Sequence, residues 1–260
     1  MNIWIIGASS GIGSELARQY ALAGHNVWIS ARNQTALDEL ANKELGLTPL
    51  PMDVTDNSSI IDAVNAIKYS NSAVDKIIIN AGVCEYLDSY EIDQDKIERV
   101  METNFFGGIK VVSHVLPLIR QSQSKYKIKS PQLVFVCSSV TYLALPRAGA
   151  YGASKAAIRY FAEALRADLY QESIDIRIVS PGFVETPLTN VNDFSMPFIM
   201  KVNEAVKRIM IGLEGSKLDI HFPKRFTYFL KLISILPDGL KCSLINKLSR
   251  HDISKLPNYE

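Results

Sequence analysis

The stretch GASSGIG, residues 7–13, stands directly after a short apolar run, NIWII at 2–6, and opens a helical pattern that continues to about Ala23. Gly7, Gly11 and Gly13 let the backbone turn sharply and come close to a bound group. The first N–H groups of the helix and the positive end of its dipole attract an anion there. A glycine trio alone carries little weight; between a strand and a helix at the start of a βαβ unit it is the expected form of a dinucleotide diphosphate site. Ile12 lies inside the motif and is taken into the same site. Ser9 and Ser10 either add phosphate contacts or serve as turn residues.

The next strand-like run, NVWIS at 26–30, ends in Ala31 and Arg32. An NAD-specific site places a carboxylate against the ribose 2'-hydroxyl about twenty residues after the glycines. No acid stands there. The planar guanidinium of Arg32 suits a 2'-phosphate instead, so NADP(H) is favoured over NAD(H).

Further out, short apolar runs alternate with longer helical patterns: LTPLPM (47–52), DKIIIN (75–80), QLVFVCS (132–138), IDIRIVS (174–180) and KLDIHF (217–222). Seven strands joined by crossover-length segments predict a doubly wound (Rossmann) α/β fold, a seven-stranded parallel sheet with helices on both faces. Its ligand site lies at the carboxyl ends of the strands. Residues 1–222 form this dinucleotide-binding and catalytic domain, and 223–260 a C-terminal amphipathic helical extension.

The formal net charge of +1 over 260 residues gives no electrostatic reason to expect nucleic acid as a partner. Charge is unevenly placed, however: residues 217–260 hold 8 basic and 4 acidic side chains against 20 and 23 before them. Cys84, Cys137 and Cys242 have neither metal-ligand spacing nor an even count, so no metal site is expected and a reducing compartment is. No signal peptide or spanning segment is visible, and a cytoplasmic location is expected.

At YGASK, residues 151–155, a tyrosine precedes a lysine by four positions on a helix-forming run. Side chains at that spacing share a face. A phenol titrates near 10, and a neighbouring ammonium favours the phenolate, which makes tyrosine usable as an acid/base group.

GASSGIG, MDVTD (52–56), NAG (80–82), TNFFG (103–107), CSS (137–139), YGASK and PGFVET (181–186) occur in this order over residues 1–222. Together they resemble the short-chain dehydrogenase/reductase family. The resemblance implies a catalytic set of Asn104, Ser139, Tyr151 and Lys155: Tyr151 exchanges the proton, Lys155 also holds the nicotinamide ribose, a strand-end serine bonds the substrate oxygen, and Asn104 anchors a relay water. Ser139 is preferred on the alignment of VFVCSS, with a one-residue shortening of the loop at 140–147; the usual family spacing of thirteen residues selects Ser138. It also implies adenine contacts from Asp53 and Val54, a role for Asn80, Ala81 and Gly82 at the middle of the sheet, and nicotinamide contacts from Pro181, Gly182, Val184 and Thr186. Ile6 departs from the usual threonine or serine before the first glycine. Pairing into a homo-oligomer through the helices that carry Asn104 and Tyr151 is a further implication.

The loops after the fifth and sixth strands contain Tyr142, Leu143, Phe183, Phe194, Met196 and Phe198, which favour an apolar or lipid-like carbonyl or alcohol as substrate. Arg147 reads as a surface arginine. Phe226, Phe229, Leu230, Ile233 and Leu236 recur at helical spacing beside Lys224, Arg225 and Lys231. They form a helical hairpin broken at Pro237 that packs on the domain or a second subunit, or an amphipathic surface (223–250) for peripheral membrane contact. The expected function is NADP(H)-dependent hydride transfer to or from a carbonyl or alcohol. The alternatives are a dinucleotide-sensing regulator and a non-reducing family member, an epimerase or dehydratase.

Overall fold

The computed structural model describes residues 1–88, 92–190 and 192–247. Its elements, in chain order, are β1 (Asn2–Ile6), α1 (Gly11–Leu22), β2 (Asn26–Ser30), α2 (Gln34–Lys43), β3 (Leu47–Pro49), α3 (Asn57–Tyr69), β4 (Lys76–Ile79) and α4 (Gln94–Met101). They continue with α5 (Gly107–Tyr126), β5 (Gln132–Val136), α6 (Gly149–Asp168), β6 (Asp175–Pro181), α7 (Val202–Glu214), β7 (Asp219–Phe222), α8 (Lys224–Ser234) and α9 (Asp238–Asn246).

The strands form one parallel sheet in the order β3-β2-β1-β4-β5-β6-β7. Right-handed crossovers wind it outward in both directions from β1 and β4, so the helices cover both faces and a crevice opens beyond the carboxyl ends of these two strands. Strand alternation sends side chains to two separate cores. Trp4, Ile77, Leu133 and Phe135 meet α3, α5 and α6 on one face; Ile3, Ile5, Ile78 and Val134 meet α1, α2 and α7 on the other. Trp4 remains fully buried because its indole N–H donates to Ser30 Oγ at 2.8 Å.

Two departures from the expected strands have local causes. β3 stops at Pro49, although Leu50 and Met52 still donate to Ile29 and Ala31; Pro51 between them has no N–H to give the ladder. β5 stops at Val136, since the Ser138 side chain accepts from the Val140 N–H and turns the chain into a 3₁₀ segment, Ser139–Tyr142. Between α4 and α5 the helix widens into a π turn, Glu102–Phe106, which contains Asn104.

The predicted C-terminal hairpin is present as α8 and α9, with Pro237 capping the second helix. Phe226, Leu230 and Ile233 of α8 pack with Leu143 in a third, smaller cluster. The segment 248–260 of the expected extension, including 248–250 of the amphipathic surface, lies outside the described residues.

Candidate active site

The glycine loop is shaped by lack of space. Gly7 has φ +91°, and a Cβ there would lie 2.5 Å from the Ala81 nitrogen. Asn80 secures this approach, donating from Nδ2 to the Gly7 carbonyl at 2.7 Å. Gly13 has no room for a side chain against the Gly7 carbonyl and Asn80, so it packs the helix onto the strand. Ser10, the N-cap of α1, makes no side-chain cap bond, and the first turn holds no acid. The N–H groups that open this helix are therefore available to an outside anion.

They face a cavity of about 480 Å³ lined by Gly7, Ser9, Ser10, Gly11, Ile12, Arg32, Asp53, Val54, Asn80, Ala81, Gly82 and Thr186. Arg32 is exposed on its rim and has no ion-pair partner among the described residues. Asp53 lines the cavity and is also a turn residue: its Oδ1 accepts from the Thr55 N–H at 2.9 Å and from the Thr55 hydroxyl at 2.8 Å. This donor-rich, glycine-walled crevice with one free guanidinium fits a dinucleotide.

The second cavity, about 530 Å³, joins the first through Ile12, Asn80, Gly82, Thr186 and Leu188, which line both. Tyr151, Lys155, Pro181, Gly182 and Val184 belong to it, together with Ser138 and Ser139. α6 carries Tyr151 and Lys155 one turn apart, the first half-buried and the second buried, with Lys155 Nζ 5.9 Å from the Tyr151 ring centre. Lys155 donates to the Val136 carbonyl at 3.0 Å, at the end of β5.

Ser138 and Ser139 both line this cavity, and Ser138 is the one whose side chain acts on the Tyr151 phenol. Ser138 has φ −163° and ψ 155°, continuing the extended strand, whereas Ser139 already begins the 3₁₀ turn and is buried.

The surroundings of Tyr151 and Lys155 shift both groups. Burial, with Cys84 adding to it, pushes Tyr151 up, and the Ser138 hydrogen bond only opposes this. Burial likewise pushes Lys155 down. Lys155 donates to Val136 with its ammonium 5.9 Å from the Tyr151 ring centre, and burial dominates the phenol. In this state Tyr151 holds its proton, as a donor must.

Asn104 is 3% exposed, and its side chain is fully engaged. Oδ1 accepts from the Val83 N–H at 2.8 Å, while Nδ2 donates to the Val83 carbonyl at 2.8 Å and to Ser154 Oγ at 2.9 Å. Ser154 in turn donates to the Tyr151 carbonyl at 2.8 Å. Asn104 thus ties the π turn to the first turn of α6 and holds Tyr151 in place. Gly82 leaves room beside it, since a Cβ would lie 3.1 Å from both Asn104 Oδ1 and Lys155 Nζ.

Of the apolar residues expected around the substrate, Phe183 and Phe194 line the cavity, but Tyr142, Leu143, Met196 and Phe198 do not. Leu143 is buried in the small C-terminal core. Tyr142 donates to Asp219 at 2.7 Å and lies between Lys231 and Arg159, 4.3 Å and 5.2 Å from its ring centre. The cavity wall contains instead Cys84, Tyr86 and Leu145, with Phe226, Phe229 and Leu230 contributed by α8. Arg147 is no free surface charge: with φ +63° it lines the cavity and pairs with Asp88 at 2.8 Å and Asp193 at 2.9 Å. His221 and His114 are structural, bonded to Thr227 at 2.7 Å and Asn57 at 3.0 Å.

No cluster of three His, Cys, Asp or Glu stands ready for a metal among the described residues, and none of their helices is long and apolar enough to cross a membrane.

The short chain dehydrogenase family model matches residues 1–194, and the chain belongs to that family. An uncharacterized oxidoreductase of Myxococcus xanthus is 29% identical over 91% of this chain and 92% of its own length. The 11-beta-hydroxysteroid dehydrogenase 1A of Arabidopsis thaliana is 32% identical over 81% of this chain, which spans only 60% of that protein. Among solved structures, a short chain dehydrogenase from Burkholderia cenocepacia in complex with NADP superposes with a TM-score of 0.78 over 95% of this chain and 96% of its own, at 22% identity.

Proposed function

We propose that the protein is an NADP(H)-dependent oxidoreductase acting on an apolar carbonyl or alcohol. The observation that carries this is the placing of Tyr151 and Lys155 one helical turn apart, beside Ser138 and Ser139, at the junction of a dinucleotide-shaped crevice and an apolar cavity. NADP(H), when bound, supplies or takes up the hydride. The amides opening α1 hold its diphosphate, Arg32 pairs with the 2'-phosphate, and Lys155 meets the ribose hydroxyls.

In reduction, the Ser138 hydroxyl and the Tyr151 phenol both donate to the substrate oxygen, orienting the carbonyl carbon for hydride. Tyr151 gives its proton to that oxygen as the C–H bond forms, leaving an alcohol and a phenolate. The Lys155 ammonium stabilises the phenolate until it is reprotonated. Oxidation runs the same transfers backwards. Phe183, Phe194, Phe226 and Leu230 exclude water and accept an apolar body, which favours a ketone or aldehyde with a hydrocarbon skeleton.

The test is titration with NADPH and NADH, followed by turnover of both against apolar ketones and aldehydes. Tight NADPH binding and turnover reduced at least about a hundredfold in Tyr151→Phe are expected. Arg32→Ala should weaken NADPH about tenfold to a hundredfold, as loss of a charge-assisted contact does, and leave NADH nearly unchanged. Equal loss for both would remove Arg32 from the site. Binding without turnover would favour a dinucleotide sensor, and cofactor-dependent rearrangement without net consumption an epimerase or dehydratase.

A further inference from the structure

α8 is apolar on two opposite faces. Phe226, Leu230 and Ile233 point inward and are buried. On the other side Tyr228, Phe229, Leu232 and, one residue past the helix, Ile235 recur at the same helical spacing and are 59%, 56%, 60% and 78% exposed. A helix that needs only one apolar face to pack has a second one for another reason.

The charges at the start of this stripe are predominantly basic. Lys224 lies 5.7 Å from the Tyr228 ring centre, Arg225 is next to it on the first turn, and Lys217, Lys231 and Arg208 all act electrostatically on Lys224. The acid among these neighbours, Asp219, already accepts from Tyr142, Ser180 and Arg159. Phe229 belongs both to the exposed stripe and to the wall of the apolar cavity, and Lys247 stands at that wall too. The stripe and the cavity mouth are thus one continuous surface.

We propose that the outer face of α8 seats on an anionic lipid bilayer, with Tyr228, Phe229, Leu232 and Ile235 at the boundary of headgroups and acyl chains and Lys224 and Arg225 among the phosphates. An aromatic and aliphatic stripe bordered by cations matches such a surface in both polarity and charge. A second copy of the chain matches it less well, because a two-fold contact would set each basic rim beside its own equivalent. The docked helix turns the cavity mouth toward the bilayer; delivery of substrate from lipid rests on the proposed function, but the docking does not.

The experiment is co-sedimentation of the full chain with vesicles of phosphatidylcholine alone and of phosphatidylcholine mixed with phosphatidylglycerol, alongside light scattering and NADPH turnover of a water-soluble ketone. The wild type should bind the mixed vesicles, and lose binding in high salt and on phosphatidylcholine. Leu232→Glu with Ile235→Glu should abolish binding, and Lys224→Glu with Arg225→Glu should weaken it at least about tenfold. Thermal melting and solution turnover should stay at wild-type values in both, since neither pair lines the cavity. Docking is overturned by an absence of sedimentation, by binding that survives Leu232→Glu with Ile235→Glu, or by a dimer that this pair dissociates. Sedimentation without turnover would keep the docking and refute the oxidoreductase; turnover without sedimentation would do the reverse.

Discussion

Ser138 and Ser139 differ by one position and by almost everything else. Ser138 is extended, two residues past β5, and its side chain acts on the Tyr151 phenol; Ser139 starts a 3₁₀ turn and is buried. Ser138→Ala should therefore lower kcat about a hundredfold or more, the usual cost of losing one donor to a developing oxyanion, and Ser139→Ala should leave it within a few-fold. Steady-state rates of the two variants, with circular dichroism to show that both fold, decide the matter; the opposite ranking would select Ser139. Sequence placed Tyr151 and Lys155 securely because a four-residue spacing on a helix fixes a shared face. Its preference for Ser139 over Ser138 rested on strand alignment, and the end of a strand is set by a local turn, here the Ser138 bond to the Val140 N–H, that no hydrophobic pattern records. The proximity of Lys155 to Tyr151 was legible, but the burial of the site and the Val136 carbonyl that Lys155 meets were not.

At the scale of elements, α8 was legible as a helix, but its packing was not, because either apolar stripe fits a core equally well. Polar anchors on distant elements decide the choice. Thr227 bonds His221 on β7, and Lys231 reaches Asp219 at 3.7 Å. Asp219 is the hub of this anchorage, accepting from Ser180 at 2.9 Å, Arg159 at 3.1 Å and Tyr142 at 2.7 Å. Tyr142 thereby couples the 3₁₀ segment after Ser138 to α8, a task its sequence position inside a substrate loop did not reveal. Tyr142→Phe removes that one bond while keeping the ring between its two cations. We expect a loss of about 1–3 kcal/mol in unfolding free energy, the range for a hydrogen bond to a charged acceptor, with NADPH affinity unchanged. Denaturant melts and a cofactor titration measure both, and an unchanged midpoint would show that Asp219 is satisfied without it.

For the molecule as a whole, the doubly wound sheet followed from strand spacing and the handedness of crossovers, which need only local pattern. The apolar cavity did not, because part of its wall comes from α8, far along the chain from Tyr151 and packed against β7. The packing of α8 also bears on the response to acid. Burial, with Lys231 and Lys224 adding to it, pushes His221 down to about 4, and burial pushes His25 in the same direction. A histidine in the unfolded chain titrates near 6.5. Between these values the unfolded state binds more protons than the folded one, so stability rises with pH across that window and is lost as pH falls through it. The melting temperature should fall from pH 6.5 toward 4, above the range in which paired carboxylates such as Glu15 and Asp219 begin to protonate. His221→Gln has no such proton to bind and should flatten this fall, leaving the part due to His25. A melting profile with the same slope in wild type and variant would mean that His221 takes up its proton as readily in the folded protein as in the unfolded chain, and that α8 does not shield it from water.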